Sequence, residues 1–366
     1  MASALDEFPF YLELDRTTPQ HSDRPLELAH LDHTQLNIEL TCSCTGQNLG
    51  KPWLTLLTDS FSRRTLAIFL TFDPPSYRSC MMVLRECIRR CRRFPQFLLL
   101  NGGDEFDVAY FEPIQMQFWF TTMLRPPKRR RGNSSVSERL FGCSSAELIQ
   151  SLTSKTPPEK RERKARGEGA TQLRQWTLPQ IAELLYKWSY ETHDVASHPA
   201  LGTSPRQAFE QGIKYTGTRS HCEMAYDQDF FLRTLPMIKP EQAKTRYYQG
   251  ERPHHIRFLS SLYNTHVEQQ QAQIHYDPYN VGLTFTYLNN QWASFMSDYH
   301  DILRGHSEQE FALAIELYQN RQTQSIQSAI SLKDVADILS ADKPTEAIQT
   351  QRLKDHEMRS ALARAC

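Results

Sequence analysis

From Leu28 to Phe72 apolar and polar positions alternate in three bursts, "LAHLDHTQLNIELT", "PWLTLLTDSFS" and "RRTLAIFLTF", divided only by short turns. A period of two over this length marks half-buried strands, and turns this short join antiparallel neighbours. The next segment, "DPPSYRSCMMVLRECIRRCRRF", abandons that period. Pro74, Pro75 and Ser76 are helix-start residues, and Met82, Leu84, Ile88 and Cys91 recur at helical spacing. "QFLLL" then reads as a short buried strand, "VAYFEPIQMQF" as a helix and "FWFTTML" as another strand. The order β-β-β-α-β-α-β, followed by a helix from about Ser134, predicts an α/β fold with a mixed sheet flanked by helices.

Around this core the text divides the chain further. Residues 1–25 carry Pro19 and Pro25 among scattered polar groups and read as an N-terminal linker; the core is expected over 26–215. Inside it, "TSKTPPEKRERKARGEGA" has no apolar period and reads as a flexible basic connector. "WTLPQIAELLYKWSY" resumes helix, and "TSPRQAFEQG" reads as a short capped helix ending at Gly212. Short strands such as "IRFLSSLYN", "AQIHYDP" and "VGLTFTYLNNQWASFM" predict a small β-barrel over 216–300. Residues 301–366, with a helix "EQEFALAIELY" from Ser307, read as a helical, partly flexible tail.

Composition narrows the function classes. Lys and Arg number 42 against 42 Asp and Glu, so only the local distribution of charge points to a nucleic-acid partner. The acidic start "MASALDEFPFYLELD" does not read as a secretory signal, and apolar runs are too short to span a bilayer; a cytoplasmic protein without a membrane partner is expected. The eight cysteines form no C-x-x-C and no His pair stands at finger spacing beside them, which points to reduced core thiols rather than structural zinc.

Three positions carry candidate chemistry. Asp32 interrupts an apolar strand in "HLDHT", Asn101 ends the strand in "FLLLNGGDEF", and Glu138 lies in "SVSERLFG" with Val136, Leu140 and Phe141 on the inward side of its helix. Acids on a central strand and a packing helix converge near one end of a sheet when they hold Mg²⁺ for phosphoryl transfer on DNA. By spacing alone, solvated acids explain them equally well.

The surrounding words add to this. "LAHLDHTQLNIEL", "GKPWLTLLTDSFSRRTLAIFLTFDPPSY", "NGGDEFDVAYFE", "LRPPKRRRGNSSVSERLFG" and "SHPALGTSPRQAF" together resemble the Mu-type transposases, including the TnsB-like subset, over roughly Leu26 to Ser297. The resemblance implies a ribonuclease-H-like core shared with retroviral integrases, and a metal triad at Asp32, Asn101 and Glu138. It implies two Mg²⁺ ions, with Mn²⁺ as substitute, held by Asp32 and Glu138. It further implies transposon-end and target DNA as partners, a homo-oligomer on DNA, and a C-terminal tail that recruits an ATP-using target-selection protein. Two departures stand out. Asn101 occupies the position of the second Asp, with Asp104 three residues on as the alternative carboxylate. The helix-turn-helix domains that such proteins carry upstream have no counterpart in the stretch before Asp32. An impaired transposase and a catalytically inactive relic or accessory subunit therefore both fit.

Basic clusters supply the DNA-binding candidates. Arg85, Arg89, Arg90, Arg92 and Arg93 crowd one helix end; Lys128, Arg129, Arg130 and Arg131 form an unbroken run; Lys160, Arg161, Arg163, Lys164 and Arg166 populate the connector. The run at Lys128 is favoured, with Arg89 and Arg93 beside it. Other motifs fail. "GQNLGKP" is no Walker loop, His33 faces away from Asp32 on its strand, and His198 in "SHPALG" is read as structural.

Overall fold

The computed structural model describes residues 11–13, 22–101, 108–118, 121–125, 176–219, 223–238, 274–288, 290–296, 300–322, 332–341 and 343–365. The chain forms two compact units: residues 1–226 with 357–366, and residues 227–356.

The first unit is built on a six-stranded mixed sheet. Its strands are β1 (Tyr11–Glu13), β2 (Leu28–Gln35), β5 (Trp53–Asp59), β6 (Thr65–Thr71), β7 (Phe97–Asn101) and β8 (Thr121–Arg125), in the order β1-β8-β7-β2-β5-β6. β2, β5 and β6 make the antiparallel meander that the alternation predicts, and β7, β8 and β1 add in parallel on the other side of β2. Between β2 and β5 a small hairpin, β3 (Leu40–Thr41) with β4 (Asn48–Gly50), stands out from the sheet. Residues 1–25 are therefore not wholly a linker: Tyr11–Glu13 pair with Thr122–Leu124 and extend the sheet by one strand. Three residues without a hydrophobic period carry no strand signal, so only a partner across the sheet defines them.

Helix α1 (Tyr77–Cys91) covers β5 and β6. Ser76 caps its first turn by accepting from the Arg78 N–H, and Arg92 ends it in the left-handed region, its N–H bonded to the Ile88 carbonyl. Cys80, Met81, Val83, Leu84, Cys87 and Ile88 form its buried face. That helix and the one at Leu178–Lys187 both pack on β6, and this edge strand is buried along its whole length. Helix α2 (Val108–Phe118) follows β7; α3 (Leu178–Lys187) continues into a π-helical turn at Trp188–His193, and α4 (Pro205–Thr216) closes the segment.

Helix α4 corrects the expectation that it ends at Gly212. It runs on to Thr216 and stops at Gly217, whose φ of 81° lies in the left-handed region. Gly212 has a different task. A Cβ there would lie 2.6 Å from Pro25 Cδ and 2.7 Å from Phe61 Cε1, so the bare backbone lets α4 rest on the entry to β2 and on the β5–β6 turn.

In the second unit, β9 (Met237–Ile238), β10 (Ile274–Asp277), β11 (Asn280–Leu288) and β12 (Gln291–Met296) form a four-stranded antiparallel sheet. Around it stand α5 (Gln228–Arg233), α6 (His300–Leu303), α7 (Glu308–Gln322), α8 (Leu332–Leu339) and the first part of α9 (Glu346–Ala365). Tyr276 and Val281 of the sheet share one core with Leu303, Phe311, Ile315, Val335, Leu339 and Ile348. This redraws the expected division at residue 300. The sheet alone buries too little apolar surface, and the helices of 301–356 complete its core rather than trailing from it. No helix among the described residues is long and apolar enough to cross a membrane.

Gly212→Ala tests the close approach. Gly to Ala inside a helix ordinarily stabilises by about 1 kcal/mol. Here overpacking against Pro25 and Phe61 reverses the sign, and urea denaturation should show a loss of about 1–3 kcal/mol.

Candidate functional site

Asp32 lies toward the carboxyl end of β2, 8% exposed, paired with Leu56 of β5. On its other side β2 and β7 run parallel with Leu28 opposite Phe97 and Leu31 opposite Leu100. That register continues to set Asp32 level with Asn101 on the neighbouring strand, a strand spacing of about 4.8 Å away. Asn101 is in turn paired with Arg125, the last residue of β8. The carboxyl ends of three parallel strands thus bring together the first two of the three expected positions. Glu138, Asp104 and the run Lys128–Arg131 lie outside the described residues.

The histidines near Asp32 serve the sheet. His30, on the same face, is buried with Nε2 3.4 Å from Ser60 Oγ; His33, on the opposite face, holds Thr55 Oγ1 at 2.8 Å through Nδ1. Burial lowers the His33 pKa from 6.5 to about 4, so the ring stays neutral at ordinary pH. Among the described residues no three His, Cys, Asp or Glu side chains cluster as a metal site. Asp32 is a hard, charged oxygen donor suited to Mg²⁺, whereas the amide at Asn101 brings an oxygen without charge.

At the other end of the sheet lies a polar cluster that the sequence did not announce. Asp194 is almost fully buried and takes both prongs of Arg64, Nε at 2.9 Å and Nη2 at 3.0 Å, while Arg206 Nε donates at 2.9 Å. The Arg206 N–H also bonds the Asp194 carbonyl at 2.9 Å, and His193 Nε2 lies 3.1 Å from the Arg63 carbonyl. This joins the β5–β6 turn to the π-helical turn and to α4. The turn itself is set by Asp59, which accepts from the Leu26 N–H and from the N–H and hydroxyl of Ser62. Burial pushes the Asp59 carboxyl up, and those hydrogen bonds oppose the shift.

Asp59 pairs with Ala29, three residues before Asp32 along β2, so this clamp stands about 10 Å from Asp32 along the strand. His198 belongs with the clamp. Its N–H bonds the Thr203 carbonyl at 2.9 Å and closes the loop ahead of α4, which Ser204 and Gln207 cap. Arg64 and Arg206 fall in the words "TDSFSRR" and "SHPALGTSPRQAF", whereas Asp194 lies outside both.

The arginines of α1 are largely taken up by the fold. Arg85 is buried, Arg89 makes two bonds to Glu86 at 2.7 and 2.9 Å, and Arg90 lies over the Tyr190 ring at 3.3 Å. Arg93 donates through Nη1 to the Thr218 carbonyl. In the sequence these residues read only as a crowd of charge at one helix end. The described cysteines, Cys42, Cys44, Cys80, Cys87 and Cys91, are free thiols, four of them buried or half-buried, in line with reduced core thiols.

Residues 30–94, which span β2 through α1 and include Asp32, match the profile of the TnsB C-terminal domain. Over this segment the N-terminal unit is similar to the TnsB-like transposases. A curated relative is the transposase for transposon Tn552 of Staphylococcus aureus, 24% identical over 140 residues; the match takes in 36% of this chain and 28% of that protein. The match thus spans under a third of that relative's length. Solved structures include a chain of the simian T-cell lymphotropic virus intasome in complex with PP2A regulatory subunit B56 gamma, at TM-score 0.37 and 12% identity, covering 54% of this chain and 59% of that one. Another is the HTLV-2 integrase catalytic core domain in complex with magnesium, at TM-score 0.33 and 13% identity, covering 51% and 97%. Likeness at this level decides nothing about the site, which rests on the strand register.

Two measurements test the cluster and the strand. Asp194→Ala leaves Arg64 and Arg206 without their shared partner and should cost about 3 kcal/mol in chemical denaturation, with the far-ultraviolet spectrum retained. For His33 the folded pKa lies below the unfolded one. The unfolded chain therefore takes up a proton between pH 6.5 and about 4 that the fold refuses, and stability falls as pH drops through that window. His33→Gln should flatten the fall by up to about 3 kcal/mol, read from denaturation midpoints at pH 7 and pH 4.5.

Proposed function

We propose that this chain is the core of a DNA transposase or integrase that joins transposon ends to target DNA by Mg²⁺-dependent strand transfer, with Asn101 weakening the chemistry. The observation that carries this reading is the level placement of Asp32 and Asn101 on adjacent parallel strands, with Asp32 inside the TnsB-like segment. Asp32 is the described residue best suited to hold a divalent cation, and by resemblance Glu138 is its partner. Activation of a 3′-hydroxyl and stabilisation of the leaving oxygen is the chemistry that bound Mg²⁺, or Mn²⁺ in its place, supplies. The carboxylate of Asp32 provides charge to hold such ions together. The amide of Asn101 does not, so both affinity and rate fall.

DNA contact is assigned first to Lys128, Arg129, Arg130 and Arg131. β8 ends at Arg125, in register with Asn101, and the run begins three residues later. That closeness along the chain supports the assignment, because a segment next to a metal site has to meet phosphates. Arg89 and Arg93 are secondary candidates, given their bonds to Glu86 and Thr218. We take the β9–β12 sheet as the kernel of the small barrel expected after the core. A homo-oligomer on DNA and an ATP-using partner for the C-terminal residues complete the proposal, in a bacterial, nucleoid-associated setting.

The amide at position 101 favours a second reading, an inactive accessory subunit that keeps the fold and the DNA surface. Strand transfer with pre-cut ends in Mg²⁺, run on this chain and on Asn101→Asp, separates the two. Under the first reading Asn101→Asp raises the joining rate more than about tenfold while DNA binding is unchanged. Equal rates would remove Asn101 from the site and turn attention to Asp104. Binding without joining in both proteins would establish the accessory reading.

A further inference from the structure

The β3–β4 hairpin carries an interaction that the proposed chemistry does not use. Its loop is closed by its own bonds, Cys42 N–H to the Gln47 carbonyl at 2.8 Å and Gly46 N–H to the Cys42 carbonyl at 2.9 Å. At its tip the Ser43 N–H and hydroxyl both point to one oxygen, Glu357 Oε1, at 2.6 and 2.5 Å. Glu357 lies 314 residues further along the chain and is fully buried. Its other oxygen has no hydrogen-bond partner among the described residues. A carboxylate held this way contributes selectivity more than stability, because one oxygen stays desolvated while the other is paired twice.

The helix around Glu357 has the matching form. Met358 and Ala361 are buried with it, while His356, Arg359 and Ala363 are exposed, so the end of α9 presents one face to the first unit. Residues 357–366 pack with that unit although the 130 residues before them form their own. Ser43 to Asn48 are exposed and the loop keeps its internal bonds, so the hairpin needs nothing from α9 to stay folded. The hairpin itself continues β2 and β5 beyond Gln35 and Trp53, past the end of the sheet that holds Asp32.

We propose that the hairpin tip is a binding site for a helix bearing a buried carboxylate, and that its resident ligand is the chain's own segment 357–365, held reversibly. The two donors of Ser43 read the carboxylate, and Met358 and Ala361 supply the apolar part. Engagement keeps the C-terminus at the Asp32 end of the first unit, and release frees it for other contacts.

A fluorescein-labelled peptide of residues 346–365 tests this on the full chain. Glu357→Lys with Met358→Asp vacates the site. The vacated chain should bind the peptide saturably, at least about tenfold tighter than the unmodified chain, whose site is filled, and adding Ser43→Asp should abolish binding. No binding to the vacated chain, equal binding to both, or indifference to Ser43→Asp overturns the proposal. Amide exchange supplies a second measurement that needs only one mild variant. In Glu357→Ala the Ser43 N–H should exchange at least about tenfold faster while the Cys42 N–H, bonded inside the loop, is unchanged. A Ser43 rate that stays slow, or a hairpin that speeds up as a whole, overturns it equally.

Discussion

One buried carboxylate organises the first unit. Asp194 takes a bidentate guanidinium from the β5–β6 turn and a second guanidinium from α4. Charged groups out of water cost more than their attraction returns unless every lone pair is met, and here three donors share two oxygens. The result is geometric. With the turn fixed, β5 has a fixed register against β2, and the level of Asp32 relative to β7 follows from that register. The two ends of the sheet thus differ: one spends its charges on holding the scaffold, the other carries the Asp32 carboxylate level with Asn101.

Legibility in the sequence followed the strength of the local period. The β2-β5-β6 meander, α1, β7, α2 and β8 were all readable, because alternation or helical spacing ran for several residues in each. β1 was not, since three residues have no period and exist as a strand only against Thr122–Leu124. Nor was the end of α4, where Gly212 resembles a stop signal but answers to a tertiary contact with Pro25 and Phe61. Asp32 and Asn101 were legible as candidates, and their shared level required the register. The clamp was illegible for a deeper reason: Arg64, Asp194 and Arg206 lie far apart in the chain, and ion pairs of that kind leave no spacing to detect. The arginines of α1 show the converse, a dense charge run whose members the fold had already engaged.

Asp and Asn have nearly the same shape, so a sheet that presents one will present the other at the same register. Packing is blind to the exchange, whereas cation binding is not. The fold and the family likeness around Asp32 therefore persist whichever residue stands at 101. Fold and cation affinity part company at a single atom, the oxygen or nitrogen that completes that side chain.

The strand at Tyr11–Glu13 bears on how the chain acquires its shape. It pairs in parallel with β8, so this strand waits for more than a hundred residues before its partner exists. Closing so long a loop for three residues of ladder is entropically late, after the local meander and α1 have formed. Until then β8 is an open edge, with a row of unpaired backbone groups available to any extended segment that arrives first. Tyr11–Glu13 thus act as the last stave of the sheet, and the interval before they are set is the time in which a neighbouring chain can take their place.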